Sequence, residues 1–357
     1  MGNGNISQGL IYLNQTKKCY LTGDTISGTV NLNLIQAKRQ VEKIYIELIG
    51  EIGYKRTEYY TWGRAGLPTA KTMRYHQKFY KDTVVLTIAN VEREIYYWPF
   101  QFQLPDYLPP TINKRQNYPH VKYYLQVKIY KEGSILINKV IKYLTKVYPR
   151  VNLLENLECL EPIHKTYNDN NVILYVTLNK SGYVSGEVIY MTLQIENPLK
   201  ALIQRIDFSI IKNHVIGRYI CKDTILLTDG CKCKDTIFKI TLPKILNLKD
   251  EQIQEVFDVI IPSLLLPPSY VSHEEILENV YIDISYKLEL AIKIQGIFND
   301  FYVDIPITLG TEPNPDFNQQ QMFNPMVIPD YSMFNDDDLP PGYDSTVQNL
   351  ERLDVQD

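Results

Sequence analysis

The clearest chemical motif in the sequence is a short proline segment, Pro340-Pro341-Gly342-Tyr343. It fits the PPxY pattern that WW domains bind, because two prolines preset a polyproline II backbone while the tyrosine ring adds contact area and a hydroxyl group. A shuffled chain of this composition would contain roughly 0.09 such matches. We therefore predict that Pro340, Pro341 and Tyr343 bind a WW domain.

A second segment, Pro267-Pro268-Ser269-Tyr270, fits the same pattern in a different context. It follows the apolar run Leu264-Leu265-Leu266 and corresponds to Pro109-Pro110 in the first half of the chain. We predict that these prolines are held inside a folded crossing and have a structural role.

Three cysteines, Cys221, Cys231 and Cys233, have the donor type that zinc prefers. A fourth ligand at suitable spacing is lacking, because His214 is alone and C-x-x-C pairs are absent. We therefore interpret Cys231 and Cys233 as strand residues that follow a turn, and expect no metal site.

The remaining histidines are isolated in the sequence: His76, His120, His164 and His273. The chain has no nucleophile elbow, P-loop or dinucleotide fingerprint. We expect no enzymatic activity and no cofactor. A metal-dependent enzyme built on the cysteines is the alternative from another class.

Basic residues cluster near the late strands of the first half: Lys114, Arg115, Lys122, Lys128 and Lys131. Lys122 and Lys128 share one face of a strand because their separation is even, and Lys142 and Lys146 extend the run. Such a stripe is either a solvated face or a contact for cargo tails or anionic lipid. The candidate contact residues are Lys114, Arg115, Lys122 and Lys128.

Apart from the PPxY at 340–343, these motifs lie in segments where apolar residues recur at alternate positions, which predicts that strands carry them. Short strands between Pro and Gly turns indicate antiparallel β-sandwiches, so we predict an all-β fold. Residues 55–80 break the alternation and are expected to form a long exposed hairpin or loop. The only candidate helices are 249–257 or part of 274–279.

One motif occurs twice, which indicates an internal duplication. Tyr20-Leu21-Thr22-Gly23-Asp24-Thr25-Ile26 returns 163 residues later as Tyr183-Val184-Ser185-Gly186-Glu187-Val188-Ile189. Glycine takes positive φ without cost and the neighbouring acid tolerates a turn, so each copy predicts a β-hairpin. The Pro-Pro pairs keep a similar offset, and we predict two similar domains in tandem, with their boundary in 149–171.

Charge is distributed unevenly along the chain. The formal net charge is −4, but residues 311–357 carry ten acids and one base, which leaves +5 on the remainder. That surplus does not indicate a nucleic-acid partner, although a local basic surface can meet anionic lipid or phosphorylated protein. The tail cannot bury enough apolar area to offset its ordering entropy, so we predict that it is disordered.

The cellular compartment is predicted from the lack of a membrane span and of a signal peptide, together with the cysteine pattern. No apolar run approaches the roughly 18 residues that a membrane span needs. The first residues lack the basic and apolar regions of a signal peptide. The five scattered cysteines are typical of free thiols. These features predict a cytoplasmic protein without disulfides.

Four segments, in this order, resemble arrestin domain-containing proteins, the α-arrestins. They are residues 20–30, Trp98-Pro99-Phe100-Gln101-Phe102 with Leu104-Pro105, Gly182-Tyr183-Val184-Ser185-Gly186-Glu187 with Ile195-Glu196-Asn197, and Ile305-Pro306-Ile307 through Gly310-Thr311. The resemblance covers roughly residues 8–312. It implies two arrestin-like β-sandwich domains, 8–155 and 156–312, joined by a short hinge, with no active site and a tail of 313–357.

The resemblance also implies an adaptor role in the endocytosis and trafficking of membrane proteins. In α-arrestins the tail PPxY recruits HECT-type ubiquitin ligases, so the implied partners are such a ligase and the cytosolic tails of membrane proteins. Peripheral recruitment to plasma membrane and endosomes follows. The alternative is a retromer-type sorting scaffold, which needs no PPxY. The polar core and phosphate-sensing lysines of visual and β-type arrestins have no evident counterpart, although Lys17-Lys18 lies near the first strand.

Overall fold

The computed structural model describes residues 8–15, 17–33, 41–60, 69–87, 95–112, 118–131, 139–169, 172–218, 230–272, 280–295 and 300–312. These ranges are nearly all strand, as the alternating apolar pattern predicts. The chain divides into two compact units, Met1–Asn314 and Pro315–Asp357, and every described residue lies in the first. Within the described ranges, no helix has the length and apolar character to cross a membrane.

The first half forms a sandwich from nine described strands. They are β1 Gln8–Leu13, β2 Tyr20–Leu21, β3 Thr25–Asn33, β4 Val41–Tyr60, β5 Thr69–Thr87, β6 Ile95–Gln103, β7 His120–Lys131, β8 Lys139–Thr145 and β9 Val147–Tyr148. One sheet has the order β1-β3-β6, and the other has the order β5-β4-β7-β8. β2 and β9 pair in parallel.

Alternation along the strands places the core between these sheets. On β4, Ile44, Ile46 and Leu48 are buried and lie opposite Ile129, Val127 and Leu125 of β7. On β3, every second residue from Ile26 to Leu32 is buried or closely packed. Full burial of an aliphatic side chain contributes about 1.5–3 kcal/mol, so this alternation is enough to fix which face of each strand turns inward.

A short linker with two 3₁₀ turns, Leu153–Glu155 and Leu157–Cys159, follows β9. Asn152 and Asn156 cap them, because their side-chain oxygens accept hydrogen bonds from the amides of Leu154 and Glu158. Leu153 and Cys159 pack with Val184 and Val151 in a small apolar cluster. The linker lies in the region where the sequence predicts the domain boundary.

The second half repeats the sandwich with ten described strands. They are β10 Ile163–Asp169, β11 Val172–Leu178, β12 Gly182–Val184, β13 Val188–Glu196, β14 Leu202–Arg218, β15 Gly230–Leu248, β16 Gln252–Ile260, β17 Tyr270–Val271, β18 Val280–Gln295 and β19 Phe301–Gly310. One sheet has the order β10-β11-β13-β16. The other has the order β12-β19-β18-β14-β15, with β17 on β18.

The repeated Gly-acid motif forms a turn, as predicted, but the predicted hairpins are wrong. Gly23 and Gly186 have φ of 80° and 89°, which only glycine adopts without strain. The strands on either side do not pair with each other. β2 pairs in parallel with β9 in a separate two-stranded sheet, and β12 pairs in parallel with β19, whereas β3 and β13 belong to other sheets. Each turn therefore carries the chain from one sheet to a different one.

The predicted helix at 249–257 is also wrong. Residues 252–260 form β16, which pairs with β13 along its whole length. Ile253, Phe257 and Val259 are buried at odd positions, while Gln254, Val256 and Asp258 are exposed. This period of two matches a half-buried strand, so tertiary pairing decides the conformation. Residues 274–279, the other candidate helix, lie outside the described residues.

The stretch predicted as a long hairpin or loop is a hairpin whose arms are β4 and β5. The two strands pair from Ile44 opposite Thr87 to Tyr60 opposite Thr69. A register shift at Gly50 and Glu51 interrupts the ladder. The hairpin extends the sheet beyond the point where β7 ends its pairing with β4, at His120 opposite Gly53.

Candidate functional site

The described part of the predicted basic stripe lies on the solvent side of the β5-β4-β7-β8 sheet, which we call the outer face. Lys122 and Lys128 lie on this face of β7, opposite Glu51 and Tyr45 of β4. Lys142 of β8 joins them and is exposed. Lys114 and Arg115 lie outside the described residues. The even spacing of Lys122 and Lys128 therefore places both on one face, as predicted.

Strand β5 adds bases to the outer face that the sequence analysis did not predict. Arg74, Lys78 and Lys81 are exposed on it. The local signal was the alternation of Arg74, His76 and Lys78, which marks one face of a strand. The Tyr, Arg and Gly residues of 55–80 interrupt the apolar alternation and obscure this signal in the sequence. The outer face is thus broader and more basic than the predicted stripe.

Two acids interrupt this basic surface, and the first is Glu47. Lys81 Nζ lies 2.9 Å from its Oε1, and Lys128 Nζ lies 2.8 Å from its Oε2. Burial raises the pKa of Glu47, but the hydrogen bonds and charges of Lys128 and Lys81 outweigh it and leave that pKa below its ordinary value. Lys128, with a side chain only 17% exposed, is therefore neutralised by a buried carboxylate.

The second acid, Glu51, lies among two histidines and a tyrosine. The Tyr124 hydroxyl donates to its Oε2 at 3.2 Å, while His120 Nε2 and His76 Nδ1 lie 3.5 and 3.7 Å from its Oε1. Contact with His120 lowers the pKa of Glu51 to about 2, with Tyr124 adding to the effect against the opposing effect of burial. Glu51 is ionised at neutral pH.

The expectation that His76 and His120 are isolated is therefore wrong. Both lie across from Gly53 of β4, one on β5 and one on β7, and their ring centroids are 5.6 Å apart. A Cβ atom at Gly53 would approach His120 Cε1 to 2.4 Å, so glycine makes room for the imidazole. The two residues are far apart in the chain, and only the pairing of both strands with β4 brings them together.

Tyr118 completes this part of the outer face. Its hydroxyl hydrogen-bonds to His76 Nε2. Lys55 Nζ lies 5.4 Å from its ring centroid and the Arg74 guanidinium carbon 6.0 Å, which are cation–π distances. The ring therefore packs over the histidine pair and between two bases.

Of the three cysteines considered for zinc, Cys231 and Cys233 lie on β15, as the strand interpretation predicts. The Cys231 thiol donates to the Lys55 carbonyl oxygen at 3.2 Å, and the Lys55 amide donates to its sulfur at 3.3 Å. Cys231 thus joins the second sandwich to the β4 backbone. Cys19, Cys159, Cys231 and Cys233 are free thiols, and Cys221 lies outside the described residues.

A charged cluster connects the two sandwiches at the linker. Arg150 donates to Asp24 Oδ1 at 2.7 Å, to Glu312 Oε1 at 3.0 Å and to the Thr22 carbonyl at 2.9 Å. Lys17 Nζ donates to the other oxygen of Asp24 at 2.9 Å. One arginine therefore binds both the turn at Asp24 and the end of the second sandwich.

The second PPxY match is part of the folded domain, as predicted. Pro267 and Pro268 are buried, and the Ser269 amide donates to the Leu309 carbonyl at 2.9 Å. Tyr270 begins β17 and pairs with Ile284 of β18. A WW domain needs both prolines accessible, so this copy is not available as a ligand in the folded protein. Residues 340–343 lie outside the described residues.

These features define a class of protein: a tandem β-sandwich scaffold with interdomain contacts and a basic outer face. Residues 9–153 match the family described as arrestin (or S-antigen), N-terminal domain, and residues 168–314 match arrestin (or S-antigen), C-terminal domain. The chain therefore belongs to the arrestin family, whose members are generally non-enzymatic adaptors. A comparison with curated proteins finds no match.

Proposed function

We propose that this arrestin-family protein is an α-arrestin-type adaptor that links membrane-protein cargo to a HECT-type ubiquitin ligase. The observation that carries the proposal is the pair of PPxY matches. One match is buried in the second sandwich, and the other, Pro340-Pro341-Gly342-Tyr343, follows both domains in an acidic, Pro- and Asn-rich segment. Only the latter has the context of a WW ligand.

The adaptor acts by effective concentration, without catalysing a reaction. A ligase bound at Tyr343 and a cargo bound on the sandwiches share one chain, so ubiquitin transfer to cargo lysines becomes a local event. The contacts of Arg150 with Asp24 and Glu312 hold the two sandwiches together as a platform.

The outer face is the proposed contact for cargo tails and the membrane surface. Arg74, Lys78, Lys81, Lys122 and Lys142 give it an excess of bases over Glu47 and Glu51. Such a surface attracts acidic peptide segments and anionic lipid headgroups. The protein is then cytoplasmic, with recruitment to the plasma membrane and endosomes, and this adaptor role involves no nucleic acid and no catalytic cofactor.

This function is tested by measuring the ubiquitin attached to proteins of the membrane fraction. The cells compared express the intact chain, Tyr343→Ala or Tyr331→Ala. Tyr331 is a matched control because it lies in the same segment but outside the motif. We expect a set of membrane proteins to gain ubiquitin with the intact chain and with Tyr331→Ala but not with Tyr343→Ala. If Tyr343→Ala gives the same ubiquitin pattern as the intact chain, the proposal is contradicted and the retromer-type scaffold is favoured. Such a scaffold should also keep its function when residues 336–357 are deleted.

A further inference from the structure

Two histidines and a glutamate from three neighbouring strands converge at one point of the outer face. Glu51 Oε1 lies 3.5 Å from His120 Nε2 and 3.7 Å from His76 Nδ1. One ligand atom from each residue lies within 4.8 Å of the others, and among the described residues this is the only such group of three. We propose that Glu51, His76 and His120 bind a Zn²⁺ ion.

The spacing of the ligand atoms fits tetrahedral zinc. With bonds of about 2.0–2.2 Å, neighbouring ligand atoms of such a site stand about 3.3–3.6 Å apart. The two distances to Glu51 Oε1, 3.5 and 3.7 Å, lie close to this range. The two imidazole nitrogens lie within 4.8 Å of each other, so shifts of about 1 Å bring the carboxylate and both imidazoles to bonding distance of one ion.

In Glu51 and His76, the side-chain atom that does not face the ion already has a hydrogen-bond partner, as is common in protein metal sites. The Tyr124 hydroxyl donates to Glu51 Oε2 at 3.2 Å, which leaves Oε1 for the ion. With Nδ1 on the metal, His76 carries its proton on Nε2 and donates it to the Tyr118 hydroxyl, which lies within hydrogen-bonding contact. Such partners fix the tautomer and the orientation of metal ligands.

The three residues differ in burial, so the site is closed at His120 and open to solvent at His76. The His120 side chain is only 3% exposed and packs on Gly53, whereas that of His76 is 49% exposed. An ion therefore enters from the solvent beside His76. Three protein ligands leave a fourth position for water, and the bound ion ties β4, β5 and β7 together.

The donor set selects the class of metal. Imidazole nitrogen suits zinc and copper, whereas calcium and magnesium prefer oxygen ligands. Lys78 and Lys122 lie on the same face as Glu51. Their positive charges repel a bound metal cation. We therefore expect affinity below that of a closed thiolate zinc site.

Calorimetric titration of the metal-stripped full-length protein with zinc chloride tests the proposal. We expect one equivalent to bind, with affinity reduced at least tenfold in His76→Ala and in Glu51→Gln. The control is His164→Ala, which removes an exposed strand histidine of the second sandwich and should bind zinc as the wild type does. Unchanged affinity in His76→Ala overturns the proposal. His76 is the better target because replacing the buried His120 would disturb packing.

Cobalt(II) distinguishes this site from the free thiols. Cobalt on two imidazoles and a carboxylate gives visible d–d bands without a thiolate charge-transfer band in the near ultraviolet. The same spectrum in the wild type and in His76→Ala, with a thiolate charge-transfer band in both, would assign the ion to cysteines and overturn the proposal. Zinc should also raise the midpoint of thermal unfolding of the wild type and of His164→Ala, but not of His76→Ala, because only the folded site binds.

Discussion

The hydroxyl of Tyr286 donates a 2.6 Å hydrogen bond to the carbonyl oxygen of Pro267. Tyr123 makes the same bond to Pro109 in the first sandwich, also at 2.6 Å. Burial raises the pKa of both phenols well above the ordinary value, so both remain donors at any physiological pH. The bond ties the Pro-Pro crossing to the neighbouring sheet, and it explains why the second PPxY match belongs to the fold.

Tyr286→Phe is expected to destabilise the protein by about 1–3 kcal/mol, because it leaves a buried carbonyl without its donor. The side-chain volume is almost unchanged, so the loss reports the hydrogen bond. Urea unfolding followed by fluorescence measures it. Tyr97→Phe, at a tyrosine that is 65% exposed, should unfold at the wild-type midpoint, and an equal midpoint for Tyr286→Phe would contradict the structural role.

Asp24 is expected to make stability depend on pH in the acid range. Burial raises its pKa, but Lys17, the Leu21 amide and Arg150 outweigh burial and hold that pKa below the ordinary value of about 3.9. Because the pKa of Asp24 is lower in the folded state, its carboxylate stabilises the protein fully at pH values above the ordinary, unfolded-state pKa. This contribution is lost as the pH falls through the folded-state pKa.

Asp24→Asn should therefore be less stable than the wild type at pH 7, by about 1 kcal/mol as for partly exposed ion pairs. The difference should shrink below about pH 4, where the wild-type carboxyl becomes protonated. Urea midpoints of both proteins at neutral and acid pH measure it. A difference that stays constant across this range would contradict the assigned role.

The basic outer face is expected to bind anionic membranes. Lys78→Glu combined with Lys142→Glu should weaken binding to phosphatidylserine vesicles by more than about tenfold, since each basic residue near the surface contributes about 1 kcal/mol. Sedimentation with vesicles measures this, and wild-type binding should fall as salt increases. The control, Lys165→Glu with Lys249→Glu on the second sandwich, should bind as the wild type does; an equal loss in the control would contradict the assignment of the face.

The sequence was sufficient to predict those structural features that depend on neighbouring residues. Alternation of Ile44, Ile46 and Leu48 predicts a strand with one buried face, and the copies at Tyr20 and Tyr183 predict two similar domains. The same repeat extends to contacts: Lys17 pairs with Asp24, and Lys180 pairs with Glu187.

Pairing between distant strands was not predictable in this way. The turn at Gly23 has hairpin residues, yet its two sides join different sheets, because the partner of β2 is β9, more than a hundred residues later. His76 and His120 meet for the same reason, through their shared neighbour β4. Neither local spacing nor residue type carries that information.

The central claim, a WW ligand at Tyr343, is tested most directly by titrating the purified full-length protein with WW domains of HECT-type ligases. We expect saturable binding by the wild type, binding at least tenfold weaker in Tyr343→Ala, and unchanged binding in Tyr331→Ala and Tyr270→Phe. Failure of the wild type to bind any WW domain, or equal binding by Tyr343→Ala, would contradict the claim and leave an arrestin-family scaffold without ligase recruitment.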